Sequence, residues 1–311
     1  MSSEEFSNWA LTRKKTFIET RARMLQAIRR YFFLRDYLEV ETPYRIPAPA
    51  PETHIDAVSS GDWFLHTSPE LCMKRLLAAG YVRIFQICKC FRLGERGVKH
   101  LPEFTMLEWY HAGIDYKRLM EECEELLSYV FHELGSGDVL SYQGYQILLQ
   151  IPWERITVEK AFSLYAPITL HEAMGRGCFD ELTACCIEPH LGVLHPVFLH
   201  DYPVSLGALA RAKKNDPGVA ERFELYIGGM ELANAFSELT DADEQRRRFR
   251  DANDLRLTLG KTNYPQAEPF LRALPFLPES AGIALGVDRL AMLVADCATI
   301  DDIVAFAPED L

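Results

Sequence analysis

The sequence predicts an α+β domain built on a mainly antiparallel sheet flanked by helices, and three observations carry that reading. Apolar runs of strand length come in consecutive pairs joined by turn residues, as in "YVRIFQICKCFR" with "EFTMLEWYHAG" and "ERFELYI" with "MELANAF". Helix-period segments stand between these pairs rather than after every strand, so the strict alternation of a doubly wound parallel sheet is absent. Of the 311 residues, 48% are hydrophobic, enough for one sizeable core.

Taken in order, Thr16 to about Arg35 carries Leu25, Ile28 and Phe32 at helical spacing, with arginines on much of the remaining face. The helix should end before "DYLEVETPYRIPAPAPE", where Pro43 and the prolines after it impose extended backbone. "WFLHTSPELCMKRLLAAG" reads as a strand then a helix, with Ser68 and Pro69 at the N-cap and first turn. The two strands that follow enclose "LGERGVKHLP", a charged hairpin loop containing Gly94 and Gly97. "YKRLMEECEELLSYVFHEL" reads as an acidic amphipathic helix presenting a solvated outer face. Residues 135–217 say least, beyond a strand-like "HPVFLHDYP". Two strands then meet at Gly228-Gly229, a charged helix stops at Gly260, and "AGIALGVDRLAMLVA" runs from a strand into a helix.

Composition excludes several functions. With 45 acidic against 33 basic residues the net charge is -12, the wrong sign for a general nucleic-acid binder, which must displace phosphate counterions. No run approaches about 18 apolar residues, so no membrane span is expected. The amino terminus lacks a signal-peptide core, and a cytoplasmic location is expected. The eight cysteines form no paired CxxC set and are expected to be reduced thiols rather than zinc ligands. His190, His195 and His200 are read as packed or surface residues, not metal ligands.

The chemistry-bearing residues cluster in three stretches. "GIALGVDRLAML" fits neither a P-loop nor a dinucleotide fingerprint, but it sets Arg289 at a strand-to-helix junction, where a guanidinium can bind phosphate bidentately. "CFRLGERGVKHLPEF" offers Arg92 at a strand end, Phe104 as a stacking face, and Arg96 and His100 in the loop between them. "MELANAFSELTD" offers Glu231 and Glu238, seven residues apart. That odd spacing sets them on opposite faces of a regular strand, and on one face only if a bulge intervenes. If they converge, two hard carboxylates suit Mg²⁺. Together these groups describe a nucleoside-triphosphate site without a P-loop.

"LRDYLEVETPYRIP", "FRLGERGVKHLPEFTMLEWY" and "GIALGVDRLAML" resemble, in order, motifs one, two and three of the class II aminoacyl-tRNA synthetases. "HTSPELCMKRLLAAGYVRIFQICKCFR" and "GGMELANAFSELTD" resemble the lysyl branch. The resemblance implies the class II catalytic fold as a single domain over 1–311, without the OB-fold anticodon-binding domain of lysyl-tRNA synthetases. That architecture resembles the lysyl-tRNA synthetase paralogues that attach (R)-β-lysine to elongation factor P, which implies a homodimeric, ATP- and Mg²⁺-using, AMP-forming ligase. Motif one would form the dimer interface, with Pro43 near the twofold axis. Elongation factor P, rather than tRNA, is the implied acceptor.

By position, the resemblance makes Arg92, Glu231, Glu238 and Arg289 the catalytic set, with Mg²⁺ on Glu231 and Glu238. ATP is assigned to Arg92, Leu93, Gly94, His100, Leu101, Phe104, Glu231, Leu232, Gly286 and Arg289, adenine lying between Phe104 and Arg289. The amino acid is assigned to Ser68, Pro69, Glu70, Tyr110, Asn234, Glu238 and Ala284. Leu101, Gly94 and Ala235 depart from the family's usual asparagine, glutamate and glycine, and Ala284 stands where lysyl-tRNA synthetases carry glycine. The rival readings are a lysine-activating enzyme acting on tRNA or another small acceptor, and a non-catalytic amino-acid-binding regulator.

Overall fold

The computed structural model describes residues 3–311, with side chains from Leu11 onward. Helix α1 (Ser3–Phe33) leads to short strands β1 (Leu38–Glu39), β2 (Arg45–Ile46), β3 (Ser59–Ser60) and β4 (Trp63–Leu65), then to helix α2 (Glu70–Ala78). Strands β5 (Arg83–Phe91) and β6 (Glu103–Ala112) form the long hairpin, followed by α3 (Tyr116–Glu133). A small hairpin, β7 (Val139–Tyr142) and β8 (Tyr145–Leu148), precedes β9 (Glu154–Thr157), α4 (Val158–Tyr165), α5 (Leu170–Arg176), α6 (Phe179–Leu182) and β10 (Val197–Pro203). The chain closes with β11 (Ala212–Lys213), β12 (Asp216–Ile227), β13 (Met230–Ser237), α7 (Ala242–Thr258), α8 (Glu268–Ala273), β14 (Ser280–Gly286) and α9 (Val287–Val294).

A nine-stranded sheet organises the molecule in the order β1-β5-β6-β14-β13-β12-β10-β9, with β11 beside β12. Its β1–β5 and β9–β10 pairs are parallel and the rest antiparallel. The α+β expectation therefore holds. Gly228 and Gly229 both have positive φ (63° and 66°), the backbone that a two-residue hairpin loop between β12 and β13 demands.

One face of the sheet is sealed by α1, α3 and α9. Met24, Ile28 and Phe32 of α1 and Leu119, Leu126 and Val130 of α3 meet Phe85, Leu107, Trp109, Ile283 and Leu285 in the main core. Phe32 stacks on Phe85 with centroids 4.5 Å apart. Each such side chain contributes about 1.5–3 kcal/mol through burial. A second core joins α2 and α8 to Ile84 and Tyr110 on the opposite face, which also carries an open cleft. Residues 154–202 build a third core around Phe162, Phe179 and Tyr202.

Two expectations need correction. Helix α1 begins at Ser3 rather than near Thr16, since nothing in "SEEFSNWALTRKK" breaks a helix. Helix α3 is not mainly a solvated face, because ten of its residues are buried, Glu122 and Glu124 among them. Glu122 accepts from Tyr37 Oη at 2.8 Å and lies 2.7 Å from His111 Nδ1, while Glu124 accepts the Trp153 amide at 3.0 Å. These acids are buried because each has a partner. The histidine reading fits: His190 stacks on Tyr165, and His195 and His200 lie beside Glu154 and Asp201.

Candidate active site

Strand register builds the floor of the cleft. Gln86, Glu108, Ala284, Asn234 and Glu224 are successive partners across five neighbouring strands. The next row is Ile84, Tyr110, Gly282, Phe236 and Arg222. Side chains in such rows share one face, and most of these line a cavity of about 410 Å³. A bulge completes it. Glu231 pairs with Tyr226 and Ala233 with Leu225, leaving Leu232 as the extra residue. The alternation flips there, and Glu231 joins the face of Asn234 and Glu238.

At one end the cleft is acidic. Glu108 is fully buried and accepts from Ser68 Oγ at 2.5 Å and from Tyr110 Oη at 2.7 Å. Ser68 Oγ also accepts the Glu70 amide at 3.0 Å, capping α2 from one residue ahead of Pro69. Burial, and then the Glu70 charge, pushes the Glu108 carboxyl up to about 8. Lys74, only 2% exposed, bridges Glu70 Oε1 (2.5 Å) and Glu238. Burial pulls against its charge, but the two carboxylates outweigh it and raise its pKa. Burial raises the Glu238 carboxyl while the Lys74 charge opposes that shift, and its Oε1 has no hydrogen-bond partner among the described residues.

Gly282 makes this end possible. A Cβ there would lie 2.2 Å from Tyr110 Cε1 and 2.6 Å from Glu238 Oε1. Gly286 is less constrained: its Cβ would meet nothing nearer than Arg289 Cδ at 3.6 Å.

The other end is cationic. Arg289 donates through Nη1 to the Glu231 carbonyl (2.8 Å) and through Nη2 to His100 Nε2 (2.5 Å). His100 is therefore a neutral acceptor there, and burial, followed by the guanidinium, lowers its pKa. Arg92 covers the Phe104 ring at 5.0 Å and approaches Glu95 at 3.7 Å, while its buried Nε has no partner among the described residues. Arg222 reaches Asn234 Oδ1 (3.0 Å) and Glu224 Oε1 (2.5 Å). Asp288, beside Arg289, is structural: it receives Arg21 at 2.8 Å and the Thr105 amide at 2.6 Å, tying α1 to β6.

The cavity wall includes Ser68, Glu70, Arg92, His100, Leu101, Phe104, Tyr110, Glu231, Leu232, Asn234, Ala284, Gly286 and Arg289, all expected from the sequence. Leu93, Gly94, Pro69 and Glu238 are not in the wall; Leu93 points to solvent, 60% exposed, and Glu238 is fully buried behind Gly282. The ring of Phe104 is covered by Arg92 at 5.0 Å, and Phe104 and Arg289 line the same cavity. The expected Glu231–Glu238 metal pair is not brought together. The two share a face, but at about 3.3 Å per residue they lie roughly 20 Å apart along the strand, and Glu238 is committed to Lys74.

The acid that does approach Glu231 is Glu224, its diagonal neighbour across the hairpin. Enclosure in the cleft, and then the Glu224 charge, pushes Glu231 up to about 7. Two carboxylates opposing one another in a cleft suit a hard divalent cation. Sequence reasoning missed Glu224, Arg222, Lys74 and Glu108. A usable signal existed for Glu108 and Glu224, each an acid inside an otherwise apolar strand run, "MLEWY" and "FELYI".

A family model described as tRNA synthetases class II (D, K and N) matches residues 4–310. The chain is 40% identical to an elongation factor P–(R)-β-lysine ligase of Pectobacterium carotovorum, over 98% of this chain and 99% of that protein. It is 40% identical to the ligase of the same name in Proteus mirabilis, over 97% and 98%. A lysine–tRNA ligase of Moorella thermoacetica is 38% identical over 94% of this chain but only 65% of its own length. The chain belongs to the class II tRNA synthetase family and, within it, to the elongation factor P–(R)-β-lysine ligase branch.

Proposed function

We propose that this chain activates (R)-β-lysine with ATP and transfers the acyl group to a lysine side chain of elongation factor P. The observation that carries the proposal is one cleft with buried acids at one end and arginines at the other. A diamino acid needs the first and a triphosphate the second. The names and near-complete overlap of the relatives support the acceptor.

In this reading Glu238, with its unpartnered oxygen, receives a substrate ammonium beside Glu70 and Tyr110. Glu108 holds Ser68 and Tyr110 in place. The substrate carboxylate, near Asn234 and Ala284, attacks the α-phosphorus; the bond to the β-phosphate oxygen breaks and pyrophosphate leaves. Arg92 stabilises the charge that develops on the α-phosphate, and Arg289 with His100 holds the outer phosphates. These groups act by fixed position and charge. Glu224 and Glu231 would hold Mg²⁺, which neutralises phosphate charge when bound. The acceptor amine then attacks the acyl carbon, AMP departs, and the amine proton passes to solvent.

We further propose a single catalytic domain acting as a homodimer. Exposed Phe33, Leu34 and Leu38, next to edge strand β1, favour burial against a second copy. Incubation with labelled (R)-β-lysine, ATP and either elongation factor P or tRNA tests the acceptor. Label should appear on elongation factor P and vanish when its acceptor lysine is replaced. Label confined to tRNA would make the chain a tRNA ligase.

A further inference from the structure

Beneath the cleft lies a cluster that the reaction does not use. Cys88 and Cys90 project from the cleft-side face of β5, where they pair with Met106 and Phe104 of β6. His66, the residue immediately after β4, lies beside them. All three are buried, at 3%, 0% and 1% exposure. The two Sγ atoms are 4.0 Å apart, Cys90 Sγ is 3.9 Å from His66 Nε2, and the ligand atoms all fall within 4.8 Å of one another.

Two edges of this triangle match metal coordination, and the third, from Cys88 to His66, is at most 4.8 Å. An ion bound at about 2.3 Å to each sulfur and about 2.0–2.1 Å to nitrogen, with angles near 120°, sets the sulfurs about 4.0 Å apart and sulfur from nitrogen about 3.8 Å. A second observation points the same way. Gln86, two residues before Cys88 on the same strand face, is 1% exposed and neither atom of its amide has a partner among the described residues; the same is true of His66 Nδ1. Buried polar atoms of this kind are costly unless satisfied. We propose that His66, Cys88 and Cys90 form a binding site for a thiophilic d¹⁰ cation, Cu(I) or Zn(II), with the Gln86 amide beside it.

The ligand set dictates the class of ion. Two thiolates and an imidazole select soft or borderline metals over Mg²⁺ or Ca²⁺. Three ligands in a dry site suit three-coordinate Cu(I), and Zn(II) needs the Gln86 oxygen as a fourth. Binding deprotonates the thiols and replaces the hydrogen bond from His66 Nε2 to the Lys89 carbonyl (2.7 Å). Because Arg92 follows Cys90 by two residues and Phe104 is its strand partner, an ion here would brace the triphosphate end of the cleft from below.

The test titrates the reduced, metal-free full chain anaerobically with Cu(I) against a chromophoric chelator, and separately with Zn(II). One equivalent should survive competition, with X-ray absorption reporting two sulfur and one nitrogen scatterers for Cu(I), plus an oxygen for Zn(II). Cys88→Ala with Cys90→Ala should lose more than the about 10–100-fold in affinity that removing an outer-sphere partner costs. Cys185→Ser with Cys186→Ser, on the outer surface, should retain full affinity. Unchanged affinity in the Cys88/Cys90 variant, or a wild-type absorption spectrum lacking two sulfurs, would show a packed thiol pair only. The spectrum decides the matter even if that variant does not fold.

Discussion

Replacing Gly282 by alanine should damage amino-acid recognition while sparing ATP. The added methyl would stand 2.2 and 2.3 Å from two carbons of the Tyr110 ring and 2.6 Å from Glu238 Oε1. To reach ordinary carbon contact, near 3.5 Å, the ring must retreat by about 1.3 Å. It is not free to do so, being 3% exposed and anchored through its hydroxyl to Glu108 at 2.7 Å. Overpacking of this kind costs about 1–3 kcal/mol. If the strain falls on the amino-acid end, the KM for the amino acid rises roughly 5- to 150-fold, since about 1.4 kcal/mol is a factor of ten. Urea unfolding and ATP–pyrophosphate exchange, with each substrate varied in turn, measure both effects. Gly286→Ala is the packing control and should leave stability and the amino-acid KM near wild type, its nearest neighbour being 3.6 Å away. Wild-type stability and amino-acid KM in Gly282→Ala, or a rise in the KM for ATP alone, would refute the reasoning.

Three further outcomes are expected. Glu224→Gln should raise the Mg²⁺ concentration for half-maximal exchange by about 10–100-fold, whereas Glu238→Gln should leave it unchanged and raise the amino-acid KM; the reverse pattern would restore the Glu231–Glu238 pairing. Glu108 holds its proton up to about 8 in the native protein but ionises near 4.5 when unfolded, so the stability it contributes is full below about 4.5 and lost as pH rises through about 8. Urea midpoints between pH 5 and 9 should fall with pH and fall less steeply in Glu108→Gln; an equal slope in both proteins would remove Glu108 from the account. Ala284→Gly should shift preference from (R)-β-lysine towards α-lysine by up to about 1–3 kcal/mol, read as the ratio of exchange efficiencies, and an unchanged ratio would return that methyl to packing against Cys88, Cys90 and Met106.

The strands and most of the cavity wall were legible because each depends on short-range pattern. Strand pairs announce themselves by alternation and turn residues, and Arg92, Phe104 and Arg289 stand at element ends. What was not legible depends on register. The bulge at Leu232 decides which face Glu231 occupies, and no local residue preference marks it. Glu224 becomes Glu231's neighbour only once β12 and β13 are aligned across their hairpin. Lys74 reads as an ordinary helix lysine until α2 is laid beside the residue that ends β13. Glu122 and Glu124 made α3 look solvated because their partners, Tyr37, His111 and Trp153, lie elsewhere in the chain.

The most direct test of the proposed activity is amino-acid-dependent ATP–pyrophosphate exchange with (R)-β-lysine, α-lysine or no amino acid. Exchange should depend on the amino acid, run fastest with (R)-β-lysine, and be abolished in Arg289→Ala, whose guanidinium contacts only Glu231, His100 and Lys99 among the described residues' polar groups. Exchange with no amino acid, or near-normal exchange in Arg289→Ala, would contradict it.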